Sequence, residues 1–257
     1  MKVLFSVKDV TKTFTLSKKQ RKILKTNDSK KVAVKSLSFD AYEGEIYGLL
    51  GPNGAGKTTT LRIASSLIKP DSGDVFIDGI SVVNDPSNVR RKIGFLTSEL
   101  KLEDFFTPNY LFDYFSRLHN IEEETIQARK KMLFDQFGIQ PFCEVKVSDL
   151  STGMKQKVSL AISIAHDPSI IIFDEPTNGL DIITAKTVTD FLIHLKQTGK
   201  TIILSTHIFS LVEKLCDRVG IIIEGEMVYE NTVAEIMKTT DLETLFFQLY
   251  ESKGGVL

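Results

Sequence analysis

"EIYGLLGPNGAGKTTTLRIASSLIK", residues 45–69, passes from a short apolar run through a glycine-rich loop into a helical pattern. Lys69-Pro70-Asp71-Ser72-Gly73 then ends that pattern as a turn cluster. The loop fits G-x-x-x-x-G-K-[ST] through Gly51, Gly56, Lys57 and Thr58, in the strand–loop–helix setting which that spacing requires. Glycines let the backbone wrap closely, so that successive N–H groups and the helix N-terminus face one polyphosphate. Gly51, Pro52, Asn53, Gly54, Ala55, Gly56 and Thr59 are therefore candidate contacts. Lys57 would neutralise the β- and γ-phosphates, and Thr58 would offer its hydroxyl to Mg2+.

The strands and helices around this loop place it in an α/β fold. Upstream, "LFSVKDVTKTF" (4–14) and "VAVKSLSFDA" (32–41) alternate as strands, and "GDVFIDGISV" (73–82) reads as a hairpin turning at Asp78-Gly79. From about 99 to 165 the spacing becomes helical, with "NYLFDYFSRLHNI" followed by "EEETIQARKKMLFDQFGI", which Gly138 closes. Strand signals return in "SIIIFDEP" (169–176), "KTIILSTH" (200–207) and "RVGIIIEGEMVYE" (218–230), with helical patterns between them. "DLETLFFQLYES" (241–252) reads as a short amphipathic helix. Strands separated by helices imply a parallel sheet with crossovers, into which the helical middle is inserted.

The chain has 257 residues, 42% hydrophobic and 25% charged, an ordinary globular balance that argues against disorder. Its net charge of −1 gives no broad basic field, so no nucleic-acid partner is expected. Charge is uneven, however. Ser17 to Lys31 carries seven Lys/Arg against Asp28, which gives that segment +6 and leaves −7 for the remainder. This run reads as a solvated surface loop, or as a contact to acidic lipid or a partner. Cys143 and Cys216 have no metal-type spacing and read as packing residues in a reducing cytosol. No leader pattern opens the chain, and apolar runs such as "IIIF" fall short of the roughly 18–20 residues that span a bilayer.

A second chemical site is "IIIFDEPTNGLD", residues 170–181. Four apolar residues deliver two carboxylates to a strand end, where a buried ionised Asp174 would be costly without a cation. Mg2+ resolves that cost, and Glu175 is then placed to orient or deprotonate an attacking water. Asp181 can cap the helix that follows the Pro/Gly turn. His207 ends another apolar strand; it reads either as a half-buried side chain or as a γ-phosphate sensor. His119, His166 and His194 carry no special reading.

In order along the chain stand the phosphate loop (51–58), "LSTGMKQK" (150–157), "IIIFDE" (170–175), "NGLD" (178–181) and His207. With these motifs the chain resembles the ATP-binding cassette family of ATPases over nearly its whole length. The resemblance implies a P-loop NTPase (RecA-like) parallel sheet core with an antiparallel β subdomain and an inserted α-helical subdomain. It places the core and β subdomain in 1–98 and 166–225, the helical subdomain in 99–165, and a C-terminal strand and helix in 226–257. It makes ATP and Mg2+ the cofactors, Phe14 the aromatic that stacks on adenine, Glu175 the catalytic carboxylate and His207 the γ-phosphate contact. It also implies a head-to-tail pair of cassettes, homodimer first, in which Ser151, Gly153 and Asp181 of one chain complete the other chain's site. Read alone, "LSTG" is a helix N-terminus fit for an anion.

The run "RRKIGFLTSELKLEDFFTPNYLFDYFSRLHNI" (90–121) and the "DLETLFFQL" tail are similar to exporter ATPase subunits of the sodium-efflux type, whose permease is a separate chain. That likeness implies peripheral attachment at the cytoplasmic face of the cell membrane, with Phe105, Phe106 and Pro108 read either as docking residues or as ordinary packing of the helical subdomain. A second reading is a soluble cassette ATPase without a permease, serving iron–sulfur assembly, ribosomes or nucleic acid; a third is a non-hydrolysing regulatory cassette. Three departures from the family pattern stand out. Ser98 occupies the place of the usual metal-contacting Gln and is too short to span the same gap, so either water bridges it or Glu99 beside it substitutes. Thr152 replaces the first Gly of Leu-Ser-Gly-Gly and cannot reach positive φ as freely. The basic run 17–31 is an insertion.

Overall fold

The computed structural model describes residues 1–23, 26–97 and 102–254. Ten strands run in chain order: β1 (Val3–Thr15), β2 (Lys30–Tyr42), β3 (Ile46–Leu50), β4 (Ser72–Ile77), β5 (Ile80–Ser81), β6 (Ile93–Thr97), β7 (Ile170–Asp174), β8 (Thr201–Thr206), β9 (Arg218–Ile223) and β10 (Glu226–Thr232). The helices are α1 (Lys18–Ile23), α2 (Lys57–Ala64), α3 (Pro86–Lys92), α4 (Pro108–Leu118), α5 (Glu123–Phe137), α6 (Thr152–Ser163), α7 (Ile182–Gln197), α8 (Phe209–Leu215), α9 (Val233–Ile236) and α10 (Leu242–Ser252).

A six-stranded sheet has the order β10-β9-β3-β8-β7-β6 and is parallel except for β10, which pairs antiparallel with β9. A four-stranded antiparallel sheet, β2-β1-β4-β5, covers one of its faces. The period of two sorts each central strand between two cores. Ile171, Phe173, Ile202 and Leu204 join the cluster shared with the helices, whereas Ile170, Ile172 and Ile203 join the cluster under the antiparallel sheet. Both faces being covered, β3 and β7 are buried at every position and read as unbroken apolar runs.

Turn chemistry sets the ends of these elements. Asp78 and Gly79 have φ of 48° and 77°, the left-handed pair that a two-residue hairpin needs. Gly138 ends α5 at φ 63°, as its position in the sequence implies. Helices α4, α5 and α6 form the expected helical region and join the main cluster, Phe137 of α5 lying 4.4 Å from the Phe191 ring of α7. Strand β10 lengthens the main sheet, and α10 follows as a helix.

Two expectations change. The basic run is not a plain loop, because Lys18–Ile23 is helical and Lys30–Lys31 already belong to β2. Of the three expected docking residues, Phe105 is 63% exposed, but Pro108 is buried at the start of α4 and Phe106 packs against the core. Among the described residues no helix is long and apolar enough to cross a membrane.

Candidate active site

Three adjacent strands of the parallel sheet, β3, β8 and β7, deliver their C-terminal ends to one place. The phosphate loop follows β3, Asp174-Glu175 end β7, and His207 follows β8. This is where open parallel sheets bind ligands, since the loops there converge and the helix after the loop points its N-terminus inward.

Gly56 explains why the loop needs glycine. Its φ is 106°, and a Cβ there would lie 2.4 Å from the Ala33 carbonyl. Gly51 is equally confined, with 2.3 Å between an added Cβ and the Ile222 carbonyl. The loop therefore rests on β2 and on the β9–β10 turn, where the Gly225 N–H donates to the Ala55 carbonyl at 2.9 Å. Lys57, only 5% exposed, donates to the carbonyls of Gly51 (2.6 Å) and Pro52 (3.2 Å). Burial holds its pKa below the ordinary lysine value, opposed by the carboxylates of Glu175 and Asp174. An ammonium held by neutral carbonyls is ready for a charged acceptor, since charge-assisted hydrogen bonds are the stronger kind.

Asp174 is 4% exposed, and Thr58 Oγ1 donates to its Oδ1 at 3.0 Å. Ser205 Oγ donates to the same oxygen, because the register of β7 and β8 sets Asp174 directly beside Ser205. A buried carboxylate flanked by two hydroxyls is an oxygen-only set that suits Mg2+. Thr58 and Asp174 are the residues that would hold the ion.

Glu175 sits at φ 53°, unusual for a residue with a Cβ. Its N–H donates to the Ser205 carbonyl at 3.1 Å, which fixes the backbone. Its side chain then lies between Lys57 Nζ (3.6 Å to Oε1) and His207 Nδ1 (3.0 Å to Oε2). The expected residues Lys57, Thr58, Asp174, Glu175 and His207 are thus brought together. Phe14 lines the same 480 Å3 cavity as Asn53 to Thr59 and Glu175, with Lys12 over its ring at 5.8 Å.

Ser151, Gly153 and Asp181 do not line that cavity. Ser151 caps α6 by accepting from Met154 N–H, and Thr152 is simply the first helical residue, without positive φ. Asp181 caps α7 by accepting from the N–H groups of Ile183 and Thr184 and from the Thr184 hydroxyl. Those bonds, the Thr184 hydroxyl foremost, hold its carboxyl below the usual range. Gly153 meets this cap closely, an added Cβ lying 2.9 Å from Thr184 Oγ1. Ser98 and Glu99 lie outside the described residues. Sequence reasoning missed Ser205, although its place two residues before His207 at a strand end was a usable signal.

A family model described as "ABC transporter" matches residues 34–178, more than half of the chain. The chain belongs to the ATP-binding cassette family. A second model, described as "AAA domain, putative AbiEii toxin, Type IV TA system", matches residues 144–213. This cassette is 40% identical over 221 residues to the ABC transporter ATP-binding protein NatA of Bacillus subtilis (strain 168), covering 85% of this chain and 90% of that one. It is 36% identical over 200 residues to the Nod factor export ATP-binding protein I of Burkholderia lata, 78% of this chain and 66% of that one. Among solved structures, the dimeric post-hydrolysis state of the ATP-binding cassette MJ0796 with ADP and Pi superposes with a TM-score of 0.78 at 27% identity. That match covers 89% of this chain and 98% of the other. The P-loop α/β fold is as the motifs imply, and the chain is an ATP-binding, ATP-hydrolysing subunit of the ABC-transporter type.

Proposed function

We propose that two copies of this cassette close head to tail around ATP, and that the cycle of closure and hydrolysis drives a separate membrane permease in export. The observation that carries this reading is the position of Glu175, held between Lys57 and His207 beside the Asp174–Thr58 pair. Phe14 stacks on adenine, Asn53 to Thr59 wrap the phosphates, and Lys57 leaves its carbonyl acceptors for the β- and γ-phosphate oxygens. Thr58 and Asp174 would hold Mg2+, which would supply charge neutralisation for the phosphates. Glu175 orients the attacking water and accepts its proton, and His207, anchored to Glu175, contacts the γ-phosphate.

Ser151, Gly153 and Asp181 form the complementary half-site. They cluster at the first turns of α6 and α7, outside the Lys57 cavity, where a second copy can use them. The dimeric solved relative supports this arrangement. Residues 1–98 and 166–225 act as the nucleotide-binding core with its β subdomain, 99–165 as the permease-facing helical subdomain, and 226–257 as a C-terminal extension. Within the helical part, the rings of Phe105, Phe106, Tyr110 and Tyr114 form a ladder with neighbouring centroids 4.5, 4.4 and 6.1 Å apart. Phe105, Tyr110 and Tyr114 are exposed and provide the docking surface at the cytoplasmic face of the membrane. The name of the Nod factor export relative supports export, and the likeness of residues 90–121 to sodium-efflux subunits supports sodium or another small ion or molecule as the cargo.

Glu175→Gln tests the reading. It should lower ATP hydrolysis by at least about 100-fold while ATP binding persists and dimers accumulate with ATP on size-exclusion chromatography. A membrane subunit should co-purify in detergent. Unchanged hydrolysis would remove Glu175 from the mechanism, and a soluble scaffold in place of a membrane partner would remove the permease.

A further inference from the structure

The basic insert does not lie away from the site. Leu16, Gln20, Ile23 and Lys31 line the same cavity as Phe14 and the phosphate loop. Core packing does not hold α1 there, because none of its residues is buried. Local bonds shape it instead. Ser17 Oγ accepts from the Gln20 N–H while Gln20 Oε1 accepts from the Ser17 N–H, a reciprocal capping box. The Leu16 N–H donates to the Ser29 carbonyl at 2.8 Å and closes the neck of the insert.

Lys31 gives the insert a chemical role. Its Nζ lies 3.7 Å from the point that a Cβ on Gly54 would occupy, which sets the ammonium over the apex of the phosphate loop. The backbone of Lys31 pairs with β1 opposite Phe14, but its ammonium makes no ion pair or hydrogen bond with any described residue. Lys57, by contrast, is buried beneath the loop on the carbonyls of Gly51 and Pro52. Among the described residues, the cavity lining thus carries a buried cation, Lys57, and an exposed one, Lys31.

We propose that Leu16, Gln20, Ile23 and Lys31 form a second wall of the nucleotide site, in which Lys31 contacts the polyphosphate. The ligand class is a nucleoside di- or triphosphate, and Leu16 and Ile23 add apolar surface beside Phe14. This inference rests on reading the Phe14–Lys57 cavity as the nucleotide site. An exposed ammonium on a multiply charged phosphate gains affinity through a salt-screened attraction, so its effect grows with phosphate count and shrinks with ionic strength.

Calorimetric titration of the full chain with ATP, ADP and AMP, in EDTA to stop hydrolysis, tests it. Lys31→Met keeps the side-chain stem and removes the charge. It should raise the Kd for ATP about five- to tenfold at about 0.05 M salt and affect AMP less. The difference should vanish near about 0.5 M salt, and Lys31→Arg should restore the affinity. Lys31→Met binding ATP within twofold of the unaltered protein overturns the inference, as does an equal, salt-independent loss for ATP and AMP. Loss of ATP binding in Lys57→Ala, measured alongside, confirms the cavity; an unaltered protein that binds no ATP sinks the nucleotide-site reading itself.

Discussion

Glu175 occupies a backbone conformation that costs on the order of 1–3 kcal/mol for a residue with a side chain. Ser205 is what makes the position tenable. Its carbonyl takes the Glu175 N–H, and its hydroxyl donates to Asp174 from full burial. One residue on β8 therefore positions both carboxylates of β7. Ser205→Ala removes a donor from a buried carboxylate without removing the carboxylate. The expected outcome is a loss of about 1 kcal/mol in stability by urea titration. It should also raise severalfold the Mg2+ concentration that half-saturates hydrolysis, because Asp174 is then less well aimed. Unchanged Mg2+ dependence would reduce Ser205 to a packing residue.

At the scale of elements, two helix starts meet. Gly153 of α6 touches Thr184 of α7, whose hydroxyl is already given to the cap Asp181. Adding bulk at this junction is costly, while trimming the α6 cap is mild. Ser151→Ala should cost about 1 kcal/mol through the lost N-cap bond to Met154. Ser151→Arg should abolish hydrolysis yet leave ATP binding to the isolated chain intact, because Ser151 lies outside the Lys57 cavity. Calorimetry and a phosphate-release assay separate the two effects, and hydrolysis that survives Ser151→Arg would place the half-site elsewhere. Much of this arrangement was legible in the sequence. The phosphate loop, "IIIFDE" and His207 each end an apolar strand, so chain order alone placed them on one sheet edge. The basic run was not legible: local capping and the neck at Leu16–Ser29 shape it, and charge counting carries neither signal. The position of Ser205 two residues before His207 marks it as near the site, but it escaped notice because its pairing with Asp174 depends on strand register. Thr152 looked strained only while its loop was taken to need positive φ; as the first helical residue it needs none.

At the scale of the molecule, the helical region meets the parallel core through buried contacts and through His119, whose ring stacks on His166 of the core. His166, just beyond α6, lies against the start of β6. Its Nε2 contacts the Ile93 carbonyl at 3.0 Å, so the proton of the neutral ring sits on Nε2 and donates there. Nδ1 is buried without a partner among the described residues. The ring stacks on His119 with centroids 3.8 Å apart. Burial, with the neighbouring His119 adding to it, lowers the His166 pKa to about 4 from 6.5. The folded chain thus keeps this ring neutral where the unfolded chain takes up a proton. Stability is whole above about pH 6.5 and falls as pH drops from there towards 4, because only the unfolded state gains from protonation. Between about pH 7.5 and pH 5 the loss should be about 1–2 kcal/mol, allowing for partial solvent access. His166→Gln keeps a donor for the Ile93 carbonyl but does not titrate. Urea midpoints at the two pH values should therefore differ less in this variant than in the unaltered chain. Equal pH dependence in both would mean that the fold does not hold His166 neutral.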